Sequence, residues 1–241
     1  MSANAPNLQA VRQKIMTQVA KSGRQAESVR LLAVSKTRPV ADVWAAIQAG
    51  QLDFGENYAQ EGVDKILALR ELLRKLPPDT PPDFAPIWHF IGPLQSNKTR
   101  LVAQHFTWVH AITRLKIAER LSEQRPEHLP PLQVCVQVNV SGEASKSGCA
   151  PAETRELCHK VAALPRLRLR GLMCIPAPTA DFAAQCRPFA ALRRIFLDLQ
   201  GEGLALDTLS MGMSDDLEAA IHEGSTLVRV GTAIFGVRKS S

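Results

Sequence analysis

Eight short runs rich in β-branched and other apolar residues recur along this chain, separated by longer stretches in which polar residues are threaded between apolar ones. The runs are "RLLAVS" (30–35), "LDFGE" (52–56), "IWHFIG" (87–92), "TWVHAI" (107–112), "QVCVQVNV" (133–140), "LRLRGLMCI" (167–175), "DTLSMG" (207–212) and "TLVRVG" (226–231). The first, fifth and last are nearly continuous in apolar residues, as strands buried on both faces of a parallel sheet are. Helical patterns fill the intervals, at 40–50, 58–75, 97–105, 113–124, 151–163, 181–200 and 214–223. Start and stop residues support them. "VADVWAAIQAG" opens after Pro39 and ends in Gly50, "TRLKIAERLSEQ" offers Thr113 as a cap, and "SDDLEAAIHEG" offers Ser214 as a cap and Gly224 as a stop.

Eight strands alternating with helices predict a single α/β domain over residues 1–241, a (β/α)8 TIM barrel, with an open doubly wound sheet as the competing arrangement. A helix over about residues 7–22 precedes the first strand and is supernumerary to that count. The Pro-rich segment "KLPPDTPPDFAP" cannot be regular helix, and its core at 77–86 reads as a surface insertion because the alternation resumes directly after it.

Composition narrows the function classes. The net charge is +6, but aromatic residues make up only 5% of the chain and basic residues form no long run, which argues against nucleic acid as a partner and leaves an anionic small ligand. No apolar stretch approaches the length of a membrane span, and the five cysteines are odd in number without metal-binding spacing. A cytoplasmic monomer with free thiols is the expectation, with the cysteines acting as small buried hydrophobes.

In a barrel, functional groups gather where strands end in loops. Lys36 follows the apolar run "RLLAVS" directly. A lysine there either snorkels to solvent or, if desolvated, becomes a nucleophilic amine able to form a Schiff base with an aldehyde or ketone. None of the other lysines leaves so apolar a strand. At the far end of the chain, Ser214 follows the seventh run, and Gly231 and Thr232 follow the eighth. A hydroxyl and backbone N–H groups at those two loops form a phosphate cradle in many barrels, although each residue alone could be only a cap or a turn. Asp215 and Asp216 partly oppose an anion there. Arg229 interrupts the last strand, and a buried guanidinium needs acceptors: an acid such as Glu56 or Asp207, or a ligand heteroatom. A Schiff-base lysine, a phosphate cup and a nearby arginine describe a site for pyridoxal 5′-phosphate (PLP). A barrel that captures a sugar phosphate on Lys36 without PLP stays open on these residues alone.

The stretches "LLAVSKT", "FGENYAQE", "WHFIGPLQSNK", "VNVSGEASKSG", "GLMCIP", "LSMGMSDDLEAAI" and "VRVGTAIFG", in that order from about residue 31 to 236, resemble the pyridoxal phosphate homeostasis protein family. The resemblance implies a fold-type III PLP barrel similar to the N-terminal domain of alanine racemase. It implies Lys36 as the covalent PLP lysine, Ser214, Gly231 and Thr232 around the phosphate, and Arg229 facing the pyridine nitrogen. It places Asn57 beside the ring or its hydroxyl and Met211 near the ring, with His89 and Asn139 outside direct contact. The function implied is PLP storage, buffering or delivery to PLP-dependent apoenzymes, and amino-acid balance, without a firmly assigned reaction. A PLP-dependent racemase, lyase or decarboxylase is the alternative. Lys98 and Lys146 read as solvated loop lysines, with a part in drawing in an anionic ligand left open.

Overall fold

The computed structural model describes residues 4–76, 85–143 and 147–236; most of the Pro-rich insertion and Lys146 lie outside these. The eight expected strands all form: β1 (Arg30–Val34), β2 (Asp53–Glu56), β3 (Ile87–Phe90), β4 (Trp108–Ile112), β5 (Leu132–Gln137), β6 (Leu167–Met173), β7 (Thr208–Ser210) and β8 (Leu227–Val230). They pair in parallel and in chain order, and β8 returns to pair with β1, so the sheet is a closed barrel rather than an open one.

Alternation of side chains along each strand separates two apolar regions. Phe54, Val109, Val134, Leu209, Val228 and their neighbours join the helices in one large cluster. Inside the barrel, Trp108, Ala111, Cys135 and Met173 form one small cluster, and Leu32, Ile91 and Leu227 form another. Closing the barrel leaves so little internal volume that its polar residues must satisfy one another.

Outside the strands lie α1 (Asn4–Lys21), α2 (Val40–Gln48), α3 (Ala59–Leu73), α4 (Thr99–His105), α5 (Leu115–Gln124), α6 (Pro151–Ala162), α7 (Phe182–Gly201), α8 (Leu217–His222) and α9 (Thr232–Phe235). The first helix is more than a supernumerary addition. After β8 the described residues supply only the single turn of α9, too short to cover the β8–β1 seam. Helix α1 packs against α9, α8 and α2 and fills that place in the outer ring. Leu8, Val11, Ile15 and Val19 recur at helical spacing and form its buried stripe. Asn7 Nδ2 donates to the carbonyl of Ile234 at 3.1 Å, tying the ends of the ring together.

Two expected caps are not used. Helix α5 begins at Leu115 after Arg114 in extended conformation, so Thr113 is not its cap. Helix α8 begins at Leu217, three residues beyond Ser214, because Asp216 turns back to accept from the Met213 backbone N–H at 2.6 Å. Ser214 therefore lies in the turn ahead of the helix. The stops hold: Gly50 and Gly224 both take positive φ, at 81° and 94°. All five cysteines are unpaired thiols, four of them buried; burial pushes Cys158 and Cys174 up to about 12.

Candidate functional site

Register places the site. Ala33 pairs with Val230, and Val34 pairs with Gly55. Two residues further along, Lys36 and Asn57 leave adjacent strands at one level, with Gly231 and Thr232 beside them after β8. Gly231 eases the fit there: a Cβ on it would lie 3.1 Å from the Val34 carbonyl oxygen, so its bare backbone lets the end of β8 come close to β1. Ser214 follows β7, the next strand round, where Arg229 N–H donates to the Gly212 carbonyl at 2.9 Å. Residues from both ends of the chain thus share one arc of the barrel mouth.

Lys36 stands two residues beyond Val34, whose side chain packs with Leu32 inside the barrel. That spacing puts Lys36 on the side of the mouth that Val34 faces, in the turn just past the strand, where it is half-buried. Asn57 Oδ1 is buried and has no hydrogen-bond partner among the described residues. Gly92 packs against the same asparagine so closely that a Cβ would lie 2.3 Å from the Asn57 carbonyl oxygen.

Arg229 points into the barrel on the same face as Leu227. Of the two alternatives for its acceptors, neither named acid is engaged with it: Asp207 binds Arg170, and Glu56 binds Lys65. Instead Nη1 donates to the Ser210 carbonyl (2.6 Å) and to Ser210 Oγ (2.7 Å), and Nη2 donates to the Cys174 carbonyl (2.8 Å). Two strand ends thus hold a buried cation that forms no ion pair among the described residues, and burial draws its pKa down from the usual arginine value while the charge of Asp216 opposes that shift.

A column of polar side chains continues from it down the barrel. Ser210 Oγ lies 2.7 Å from His110 Nδ1, His110 Nε2 lies 2.9 Å from His89 Nδ1, and His89 Nε2 lies 2.9 Å from Asp53 Oδ1. Burial pushes both histidines below their ordinary value, His110 strongly, with the charges of His89 and Arg229 adding to the effect. Partial burial would raise Asp53, but His89 and Arg30 hold it low. With Asp53 ionised and both rings neutral, donor counting fixes every proton. Arg229 donates to Ser210, Ser210 to His110, His110 to His89, and His89 to Asp53. His89 is therefore an interior support remote from the mouth.

Other expectations resolve unevenly. Met211 is fully buried, on the Leu209 face of its strand, within the apolar layer that the helices cover. That placement gives no support to a contact between its side chain and a ring in the mouth. Asn139 braces the loop after β5, its N–H bonded to the Cys149 carbonyl (2.9 Å) and its Nδ2 to the Glu143 carbonyl (2.8 Å). Lys98 is exposed.

The sequence reading overlooked a buried group behind Lys36. Lys65 of α3 donates to Glu56 Oε1 (2.8 Å), Glu61 Oε1 (2.6 Å) and the Ser35 carbonyl (2.6 Å), and Ser35 Oγ donates to Glu56 Oε1 (2.6 Å). Burial raises Glu56 above the usual carboxylate range while Lys65 opposes that shift. The available signal was Glu56 on the outward face of β2, five residues before an i, i+4 acid–lysine pair.

The family model for the alanine racemase N-terminal domain matches residues 7–239. A relative from Pseudomonas aeruginosa, described as pyridoxal phosphate homeostasis protein, is 58% identical over 99% of this chain and 97% of its own length. One of the same description from Escherichia coli K12 is 54% identical over 100% of this chain and 99% of its own. The structure of PipY from Synechococcus elongatus with PLP bound superposes with a TM-score of 0.76 at 36% identity, covering 92% of this chain and all of that one. On the matched length and on these identities, the chain belongs to the alanine racemase N-terminal domain family and, within it, to the pyridoxal phosphate homeostasis proteins.

Proposed function

We propose that this barrel holds PLP covalently through Lys36 and serves in PLP homeostasis by storing, buffering or delivering the cofactor. The observation that carries the reading is the shared arc of the mouth: a half-buried lysine with Asn57 on one side and Gly231, Thr232 and Ser214 on the other. These residues fit the group. PLP brings an aldehyde that a lysine amine can capture and an anionic phosphate that the two far-end loops can accept. The buried, unpartnered Asn57 Oδ1 offers an acceptor for a ligand donor, and relatives named for PLP, one of them solved with it, support the assignment.

On this reading Arg229 would meet the ring nitrogen. A guanidinium already fixed by Ser210 and Cys174 disfavours a second cation beside it, and an unprotonated pyridine is a poor electron sink. The site is thereby suited to retaining the cofactor more than to carbanion chemistry. PLP-dependent apoenzymes are the recipients on the same reading, with the barrel acting as a cytoplasmic monomer. Among the described residues no helix is long and apolar enough to cross a membrane.

The test is a PLP titration followed by visible absorbance. Wild type should gain the band of a lysine-bound PLP and Lys36→Ala should not. A band of equal strength in both would overturn the assignment of Lys36. Exchange of amino-acid α-protons into D2O above the free-PLP rate would replace the carrier by an enzyme.

A further inference from the structure

Thr37, the residue after Lys36, has φ 61°, and it is the one non-glycine residue with positive φ among those described. A β-branched residue in the left-handed region is a genuine outlier and persists only where surrounding contacts hold it. Those contacts come from α3. The Thr37 N–H donates to Glu61 Oε1. On the other side of Lys36, the Ser35 carbonyl accepts from Lys65 Nζ and the Ser35 hydroxyl donates to Glu56 Oε1. Lys65 joins both ends by donating to Glu56 and Glu61 as well, so its three N–H donors meet three acceptors.

We propose that Lys65, Glu61 and Glu56 form a bracket, buried at Lys65 and Glu56, that positions Lys36, holding the turn Ser35–Lys36–Thr37 in a strained form that keeps the Lys36 amine at the mouth. The inference rests on Lys36 being the PLP lysine. The bracket touches Ser35 and Thr37, so these three are positioning residues. It also separates two neighbouring lysines by task. Lys65 is 4% exposed with every donor engaged, which leaves it a structural cation.

Covalent capture and simple binding can be read apart. PLP reports capture by the rate at which the visible band grows. Pyridoxine 5′-phosphate, with the same ring and phosphate but no aldehyde, reports only the cup, through competition. Glu61→Gln, at a partly exposed position, should slow band growth about tenfold, equivalent to ~1.4 kcal/mol in the barrier, while the competitor's affinity stays within about twofold. Lys65→Met should slow it further. Adding Thr37→Gly to Glu61→Gln should recover part of the rate, because glycine adopts positive φ without strain.

Wild-type capture rates in Glu61→Gln would overturn the bracket, and so would a parallel loss of competitor affinity, which would mark a general structural defect. If Lys65→Met fails to fold, the Glu61→Gln and Thr37→Gly pair still decides. A wild type whose band survives in Lys36→Ala would instead remove the assignment of Lys36 and this inference with it. An intact, Lys36-dependent band that Glu61→Gln leaves untouched removes the bracket alone.

Discussion

Ser210 takes two donors from Arg229 Nη1, at its carbonyl oxygen (2.6 Å) and at its hydroxyl (2.7 Å), and passes its own proton to His110. One small residue on β7 is thus the joint between the mouth and the polar column beneath it. Ser210→Ala removes the hydroxyl while leaving the carbonyl bond in place. His110 Nδ1 then lacks its donor in a closed interior, and we expect a loss of about 1–3 kcal/mol in urea unfolding at unchanged m-value.

The two column histidines give stability a pH dependence of known sign. Both have folded-state pKa values below their ordinary 6.5. Between those values and 6.5 the unfolded chain binds protons that the folded chain refuses. Stability is therefore full above about pH 7 and declines as pH falls through the range near 6.5, by up to ~1.4 kcal/mol per pH unit for each histidine. Asp53, held low, keeps its contribution until the pH falls below the normal carboxylate range. Chemical denaturation at pH 7.5, 6.5 and 5.5 should show the decline, and His110→Gln should flatten it.

Gly92→Ala should damage the mouth by pressing on Asn57 while leaving every residue assigned to the ligand in place. Its Cβ would lie 2.3 Å from the Asn57 carbonyl oxygen and 2.7 Å from its Cα, both backbone atoms that cannot rotate away. The end of β3 must part from Asn57. We expect a loss of about 1–3 kcal/mol, the range for an overpacked interior, together with weaker binding of pyridoxine 5′-phosphate by competition.

Leu8→Ala tests whether α1 belongs to the barrel wall. Leu8 is 1% exposed and lies within the large cluster. A helix that only decorated the surface would tolerate the change. As a member of the ring it should cost about 2–5 kcal/mol, with the covalent lysine site still loading PLP below the melting temperature.

The strands were legible because a parallel barrel writes itself as apolar runs, and all eight lie where the pattern put them to within a few residues. The placing of Lys36, Asn57, Ser214, Gly231 and Thr232 on one arc of the mouth followed once the order of strands was taken as the order round the barrel. What stayed hidden depends on which side of a strand a residue faces after the chain curves. Met211 and Ser210 are neighbours in sequence, yet one packs under helices and the other joins Arg229. For Arg229 the sequence left an acid or a ligand heteroatom as acceptor, because carbonyl oxygens at strand ends carry no signature in the sequence. Ser214 looked like a cap because the turn that Asp216 makes with Met213 resembles a helix start. The Lys65 bracket joins residues from 35 to 65 through side chains that reach one another and the backbone of the Lys36 turn, and only Glu61 and Lys65 have a telling spacing.

The bond from Asn7 to Ile234 closes the ring across 227 residues. Helix α1 precedes α8 and α9 by most of the barrel, so much of the seat for its apolar stripe of Leu8, Val11, Ile15 and Val19 arrives only late in synthesis. Contacts of such long range are slow to form, and unmatched apolar surface invites aggregation meanwhile. The seam between β8 and β1 joins strands far apart in the chain, so the mouth gains its full arc only once that long-range pairing has formed.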